Sequence, residues 1–299
     1  MRDYFLGRFS IGVPQSMKQE IQTSIIRMTE ITEVLWPHDV SHEVAREQVW
    51  KAQMQEIVNL EPPRGKNKAV IETRSFSDFG PWAKGVFYHG DNISPSEAQW
   101  NVLIDTGEVG VWLKSEAILV EPLNIEKAVR NLGTLAKAYR WRAPVNDHAS
   151  ADGNFYLQNG SIALPYRWQE GTYARFQGGP LELKLEIEMQ ETQDVEQNGL
   201  TDRLDTAIST GYALGLDVDK IRGQTRTIAG LKGEDVIVRM KDKYDTGLRF
   251  AWEYPGEEDS GERPEIQITM ESPDGALEEK IKVWDTILDS FKPMYPIRK

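Results

Sequence analysis

Cysteine is absent from the 299 residues, which removes disulfides, thiolate metal sites and cysteine nucleophiles together. Histidine is scarce, at four residues. No apolar run approaches the roughly 18 residues that a membrane-spanning helix needs, so membrane insertion is not expected. The opening Met1-Arg2-Asp3-Tyr4-Phe5 lacks the apolar core of a signal peptide. On that reading the chain is either cytosolic or what remains after an export signal has been removed. Basic charge is also in short supply: 35 Lys and Arg face 47 Asp and Glu, a formal net charge of −12. Nucleic acid and anionic membrane both demand a basic footprint, so neither is expected as a partner. The deficit is uneven. Residues 1–150 carry 17 basic against 19 acidic side chains, and residues 151–299 carry 18 against 28. Electrostatic steering of a basic partner would come from the second half.

What is present suits a folded chain of two ordinary domains: 39% hydrophobic, 9% aromatic and 27% charged residues. The chain also repeats itself. Phe5-Leu6-Gly7-Arg8-Phe9-Ser10-Ile11-Gly12-Val13-Pro14 is echoed by Phe155-Tyr156-Leu157-Gln158-Asn159-Gly160-Ser161-Ile162-Ala163-Leu164-Pro165. Both are apolar alternations that end at a proline, and the prolines lie 151 residues apart. Ile125, Val129, Leu132, Ala136 and Tyr139 form one helical face. Leu277, Ile281, Trp284, Leu288 and Phe291 repeat it at an offset of 152.

Between these landmarks each half reads β-β-α-β-β-β-α. A helix is predicted near Ser41–Val58 and another around Leu200–Leu214. The strand-like runs Ala69–Arg74, Lys84–Tyr88 and Gln99–Ile104 match Asp235–Met240, Leu248–Tyr254 and Glu265–Met270 in order. Leu181–Met189 is the clearest strand. Residues 143–153 have linker composition. The expectation is an α+β chain of two tandem similar domains, 1–145 and 150–299, each an antiparallel sheet with helices on one face.

A catalytic set is hard to assemble. A nucleophile elbow needs Gly-x-Ser-x-Gly on a strand-to-helix turn. Ser10 follows Arg8 at the first glycine position, and Ser209 follows Ala207 in a segment of helical period. His38 and His42, with Asp39 and Glu43, are the one cluster that suggests a metal. Pro37 and the N-cap-like Ser41 place His38 before the helix, so the histidines do not share a helical face, and the plainer reading is a polar helix start. Gly230-Leu231-Lys232-Gly233-Glu234 lies between predicted strands and reads as a hairpin turn in preference to a phosphate loop. No metal or cofactor is expected, and the protein is not expected to be an enzyme.

Aromatic side chains are more informative. Phe76, Phe79 and Trp82 fall in Ser75-Phe76-Ser77-Asp78-Phe79-Gly80-Pro81-Trp82, whose glycine and proline mark a connection between strands. The segment Lys241–Gly247, with Tyr244 and Asp245, is its expected counterpart. Such rings either tuck back onto the sheet or are offered to a partner, where aromatic anchors dominate binding energy. Phe76, Phe79, Trp82, Tyr244 and Asp245 are therefore the candidate partner-binding residues.

The most specific pattern lies in the second half. Thr225-Arg226-Thr227-Ile228-Ala229-Gly230-Leu231-Lys232-Gly233-Glu234-Asp235-Val236-Ile237-Val238-Arg239 is followed by Phe250-Ala251-Trp252-Glu253 and Pro255-Gly256. Then come Arg263-Pro264-Glu265-Ile266-Gln267-Ile268 and Trp284-Asp285-Thr286-Ile287-Leu288-Asp289-Ser290. In order and spacing these resemble the C-terminal domain of the immunity family paired with type VI secretion lipase effectors of the fourth class. Gly7–Pro14 resembles that family's opening strand. The resemblance implies a periplasmic inhibitor, exported by a signal that this chain does not show. Its partner would be a cognate type VI lipase effector, an α/β-hydrolase phospholipase with a serine-centred site. Two similar domains suggest a clamp that blocks the active-site entrance or immobilises a lid. The alternative is a periplasmic carrier holding a lipid or small molecule in an apolar pocket between its domains; a hydrolase with an unfamiliar site is the third reading.

Overall fold

Apolar-polar alternation dominates the chain, and the computed structural model describes residues 1–90, 94–142, 153–213 (207–213 by backbone alone), 217–241 and 246–295. The first half contains β1 (Arg2–Leu6), β2 (Phe9–Val13), β3 (Met17–Ile26), β4 (Thr29–Leu35), α1 (His42–Val58), β5 (Val70–Ser75) and β6 (Ala83–Tyr88). It continues with β7 (Glu97–Asp105), β8 (Val109–Ile118), α2 (Pro122–Ala138) and β9 (Tyr139–Trp141). The second half adds β10 (Phe155–Tyr156), β11 (Gly160–Ile162), β12 (Glu170–Gly178), β13 (Leu183–Gln190), α3 (Leu200–Ala213) and β14 (Asp217–Ile228). After these come β15 (Leu231–Lys241), β16 (Thr246–Tyr254), β17 (Glu265–Pro273), α4 (Leu277–Ser290) and β18 (Lys292–Pro293). The architecture is thus mixed helix and strand, with extensive antiparallel sheet.

The chain divides into two units that are not its two halves. A C-terminal unit comprises Met1–Thr23, Asp147–Gln158 and Pro165–Lys299; an N-terminal unit comprises Ser24–Asn146 and Asn159–Leu164. This corrects the contiguous domains 1–145 and 150–299. The reason is strand pairing around the last helix of each unit. After α4, β18 pairs with β2, placing Lys292 opposite Ser10 and Pro293 opposite Phe9. After α2, β9 pairs with β11, placing Arg140 opposite Ser161 and Trp141 opposite Gly160. Each half of the sequence opens with a strand that is completed in the unit built from the other half. The registers agree with the sequence echo, since Ser10 and Ser161 are 151 residues apart and Arg140 and Lys292 are 152 apart.

Within the C-terminal unit the sheet order is β14-β15-β16-β17-β13-β12, and in the N-terminal unit it is β5-β6-β7-β8-β4-β3, the unit boundary falling inside β3. Neighbours run antiparallel, as where Leu185 faces Met270 and Trp252 faces Ile268. Counted from its own first strand, each unit has the order third, fourth, fifth, sixth, second, first. Four strands separate its two helices where three were expected. The strand not expected is β8 in the N-terminal unit and the edge strand β14 in the C-terminal unit; β14 is largely polar and exposed and shows no buried alternation, whereas β5 falls on the expected run Ala69–Arg74. By strand order β5 corresponds to β14, and β15 corresponds to β6. The β5–β6 connection therefore matches the turn at Ala229-Gly230, and Lys241–Gly247 matches the β6–β7 connection instead.

The helices also lie on both faces, where a single covered face was expected. Ile237 packs with Trp284 of α4, while its neighbours Val236 and Val238 pack with Leu200 and Leu204 of α3. Successive strand residues point to opposite faces, so α3 and α4 flank the sheet. The core under α4 holds Trp252, Trp284, Phe250 and Phe176, all fully buried. In the N-terminal unit Ala45 of α1 packs with Leu103 and Trp36, and Leu132 and Leu135 of α2 are buried. The predicted stripes on α2 and α4 hold, because each spacing of three or four residues returns a side chain to one helical face.

Candidate partner-binding site

The connection between β5 and β6 is closed by its own backbone. Phe76 N donates to Ala83 O at 3.0 Å and Phe79 N donates to Phe76 O at 3.1 Å. This pins the two phenylalanines inward. Their rings stack at 4.5 Å, and Phe76 meets Trp100 edge-on at 5.4 Å. Phe76 is 4% exposed and Phe79 6%. Both rings are thus sheet-covering side chains. On α2 the facing residue is Gly133, where a Cβ would stand 2.8 Å from Phe79 Cε1. A larger side chain would push the ring away.

Beside this packed seam opens a cleft of about 360 Å³, lined by residues 74–79 on one side and by Val129, Arg130, Gly133, Thr134 and Lys137 of α2 on the other. Its rim is cationic. The Arg74 guanidinium sits 4.5 Å over the Phe76 ring and 4.9 Å over that of Trp100. Arg130 is 3.5 Å from Glu126, and Lys137 is 3.8 Å from Asp78.

Trp82 belongs elsewhere. It is partly buried against Trp36, Ala45 and Leu103, on the face that α1 covers. Arg46 and Lys84 lie 5.3 and 5.1 Å from its ring centroid. Lys84 Nζ donates to both Glu47 oxygens at 2.8 and 2.9 Å, and this hydrogen bond is the main reason that the Glu47 carboxyl is held below its ordinary value. The structure therefore brings Phe76 and Phe79 together at one cleft and sends Trp82 to the opposite face. Tyr244 and Asp245 lie outside the described residues.

The residues weighed for chemistry occupy structural positions. Ser10 is buried within β2, and Ser209 lies inside α3, not on a strand-to-helix turn. His38 precedes α1. His42 Nε2 lies 3.1 Å from Asp105 Oδ1, which also receives Gly107 N, while Arg46 donates to Asp105 Oδ2 at 3.0 Å. Among the described residues no group of three or more His, Asp or Glu is arranged to hold a metal ion. Ala229 and Gly230 both have positive φ, 54° and 82°, as a two-residue hairpin turn requires.

Sequence reasoning overlooked the charged groups. The cleft cations Arg130 and Lys137, with Gly133 and Thr134, follow the i, i+3, i+4, i+7 spacing of one helical face, a signal that was legible beside the apolar stripe. In the C-terminal unit, fully buried Asp235 accepts from Trp284 Nε1 at 3.0 Å, from Arg222 at 3.0 Å and from Gln224 at 3.2 Å. Arg222 and Arg226 continue to Asp285 at 2.7 and 2.6 Å, and Arg226 reaches Asp289 at 2.7 Å. Partial burial would raise the Asp285 carboxyl, but the hydrogen bonds from the two arginines outweigh it and hold it below its ordinary value.

Residues 157–294 match the family model of the Tle cognate immunity protein 4 C-terminal domain, the family that the second-half motifs resemble. No curated protein matches the chain in sequence. Among solved structures, the apo immunity protein TplEi of the T6SS from Pseudomonas aeruginosa shares the fold at a TM-score of 0.74 and 18% identity, over 98% of this chain and 96% of that one. A chain of the Tle4–Tli4 complex gives 0.74 at 19% identity, covering 98% and 97%. TplEi complexed with an "L" peptide gives 0.70 at 18%, covering 98% of both chains. At these identities the likeness is one of fold.

Proposed function

We propose that this protein is an immunity protein that binds and inhibits a cognate type VI secretion lipase effector. The observation that carries the reading is the immunity-domain match over 157–294, and a fold shared along nearly the whole chain with Tli4 and TplEi supports it. An inhibitor of this kind needs a surface and no catalytic set. The described cleft suits that reading better than a lipid carrier, because its rim bears three cations where a carrier needs an apolar enclosure.

The finer reading is a clamp. Two units of equal strand order are taken as copies of one fold, each contributing a contact, so that the second contact gains from high effective concentration. Gripping a mobile lid or covering the active-site entrance would both inhibit without chemistry. Contacts at Phe76, Phe79 and Trp82, and at Tyr244 and Asp245, remain part of this proposal; for the two phenylalanines the contact is the cleft that they wall. The place of action is the periplasm, where an injected phospholipase would meet its membrane.

The test is to mix the purified protein with the lipase encoded beside it. A stable one-to-one complex and loss of phospholipid hydrolysis are expected. Undiminished hydrolysis with no complex would refute the reading.

A further inference from the structure

We propose that the cleft between the β5–β6 connection and α2 receives an acidic segment of the effector, a carboxylate side chain flanked by an apolar one. This rests on the immunity reading and names the chemistry of one contact. The chain carries a net −12, yet the cleft is lined by Arg74, Arg130 and Lys137 against Asp78 alone. An acidic segment is repelled by the protein's overall field and attracted at this place, which fixes where it docks.

Arg222 and Arg226 of the C-terminal unit are committed, each bridging to Asp285 at 2.7 and 2.6 Å and to Asp235 at 3.0 and 3.6 Å. Arg130 and Lys137 instead remain 69% and 63% exposed, paired at 3.5 and 3.8 Å with Glu126 and Asp78, which are themselves largely exposed. Such exposed pairs add little stability, so a partner carboxylate can displace them at little cost.

The stacked Phe76 and Phe79, with Val129 and the bare backbone at Gly133, give the cleft an apolar floor below its cationic rim. Its volume of about 360 Å³ has room for a few side chains, and the hydrogen bonds of Phe76 and Phe79 hold the wall in place before binding. A carboxylate would meet Arg130 or Lys137 while its apolar neighbour lies on the phenylalanines.

The experiment is titration of the co-encoded lipase with the full-length wild type, the double variant Arg130→Glu/Lys137→Glu, and Thr134→Trp, which plugs the cleft without changing charge. Both variants should weaken the Kd by roughly tenfold or more, with thermal midpoints near that of the wild type. Added salt should weaken the wild type more than the charge-reversed variant. A wild type that binds alongside variants that bind equally well overturns the cleft and leaves the immunity reading standing. A wild type that fails to bind the lipase overturns both.

Discussion

Arg8 and Glu170, 162 residues apart, form a buried bidentate ion pair, with Nε 2.6 Å from Oε2 and Nη2 2.6 Å from Oε1. The pair fastens the chain's opening strands to β12 in the C-terminal unit. Arg8 also donates to the Gly153 carbonyl. Removing the arginine alone would leave a buried carboxylate without its countercharge. Arg8→Ala should cost about 3–5 kcal/mol, and Arg8→Met/Glu170→Leu should recover much of that loss. Urea unfolding of the three proteins measures both effects. Equal losses in the single and double variants would show that packing, not the charge pair, holds the strand.

Glu33 plays a similar part in the N-terminal unit. Asn159 N donates to its Oε2 at 2.6 Å and Tyr139 OH donates to its Oε1 at 2.7 Å, tying the exchanged segment to β4. Burial raises its pKa above the ordinary 4.5, only partly offset by these hydrogen bonds. A carboxyl with a raised folded pKa binds its proton more tightly in the folded state. Its stabilising contribution is therefore complete below the unfolded pKa and is lost as pH rises through the folded one. Glu33→Gln keeps an acceptor for Asn159 and a donor for Tyr139. Relative to wild type, it should be at its most favourable near pH 7 and lose that advantage as pH falls toward 4. Unfolding midpoints at pH 7, 5.5 and 4.5 would reveal it; a difference independent of pH contradicts it.

Trp284 is fully buried and donates to Asp235. Trp284→Ala should cost about 3–5 kcal/mol. Trp284→Phe keeps most of the volume but leaves Asp235 short of a donor, a loss of about 1–3 kcal/mol. Thermal denaturation should rank the proteins wild type, Phe, Ala. A midpoint unchanged in the Ala variant would refute the packing of α4.

The strand exchange predicts which fragments fold. A fragment of residues 24–164 contains β9 with its partner β11 and Glu33 with Asn159, whereas 24–145 lacks both β11 and Asn159. The longer fragment should unfold cooperatively in urea, and the shorter should be markedly less stable. Equal midpoints would show β11 to be dispensable. The same fragment tests the clamp: 24–164 should inhibit the lipase more weakly than the whole chain, and equal inhibition would favour a single contact surface.

Much of this was legible in the sequence where contacts are local. The stripes ending at Tyr139 and Phe291 are set by residues three or four apart, and the structure returns both helices. The echo between Phe5–Pro14 and Phe155–Pro165 was visible, but not which sheet each strand would join. That choice rests on pairs such as Ser10 with Lys292, which no local period encodes. The edge strand β14 escaped because its residues are largely polar and exposed, with no buried alternation for a period to find. Glycine and proline mark Phe76 and Phe79 as part of a connection but leave open whether the rings tuck back or face outward. Their burial depends on Trp100 and Gly133, which lie elsewhere in the sequence. The cleft's cations lie beside the apolar face of α2, where helical spacing alone does not distinguish a cleft wall from an ordinary solvated surface.

The exchange of opening strands also sets an order of events during synthesis. β2 leaves the ribosome well before its partner β18, which begins only at Lys292. The C-terminal unit cannot close until Lys292 and Pro293 have been made. The N-terminal unit in turn must wait for Gly160–Ile162 before β9 has a partner. Each unit therefore stays open until a strand distant in the sequence has been made, and neither sheet locks on local segments alone.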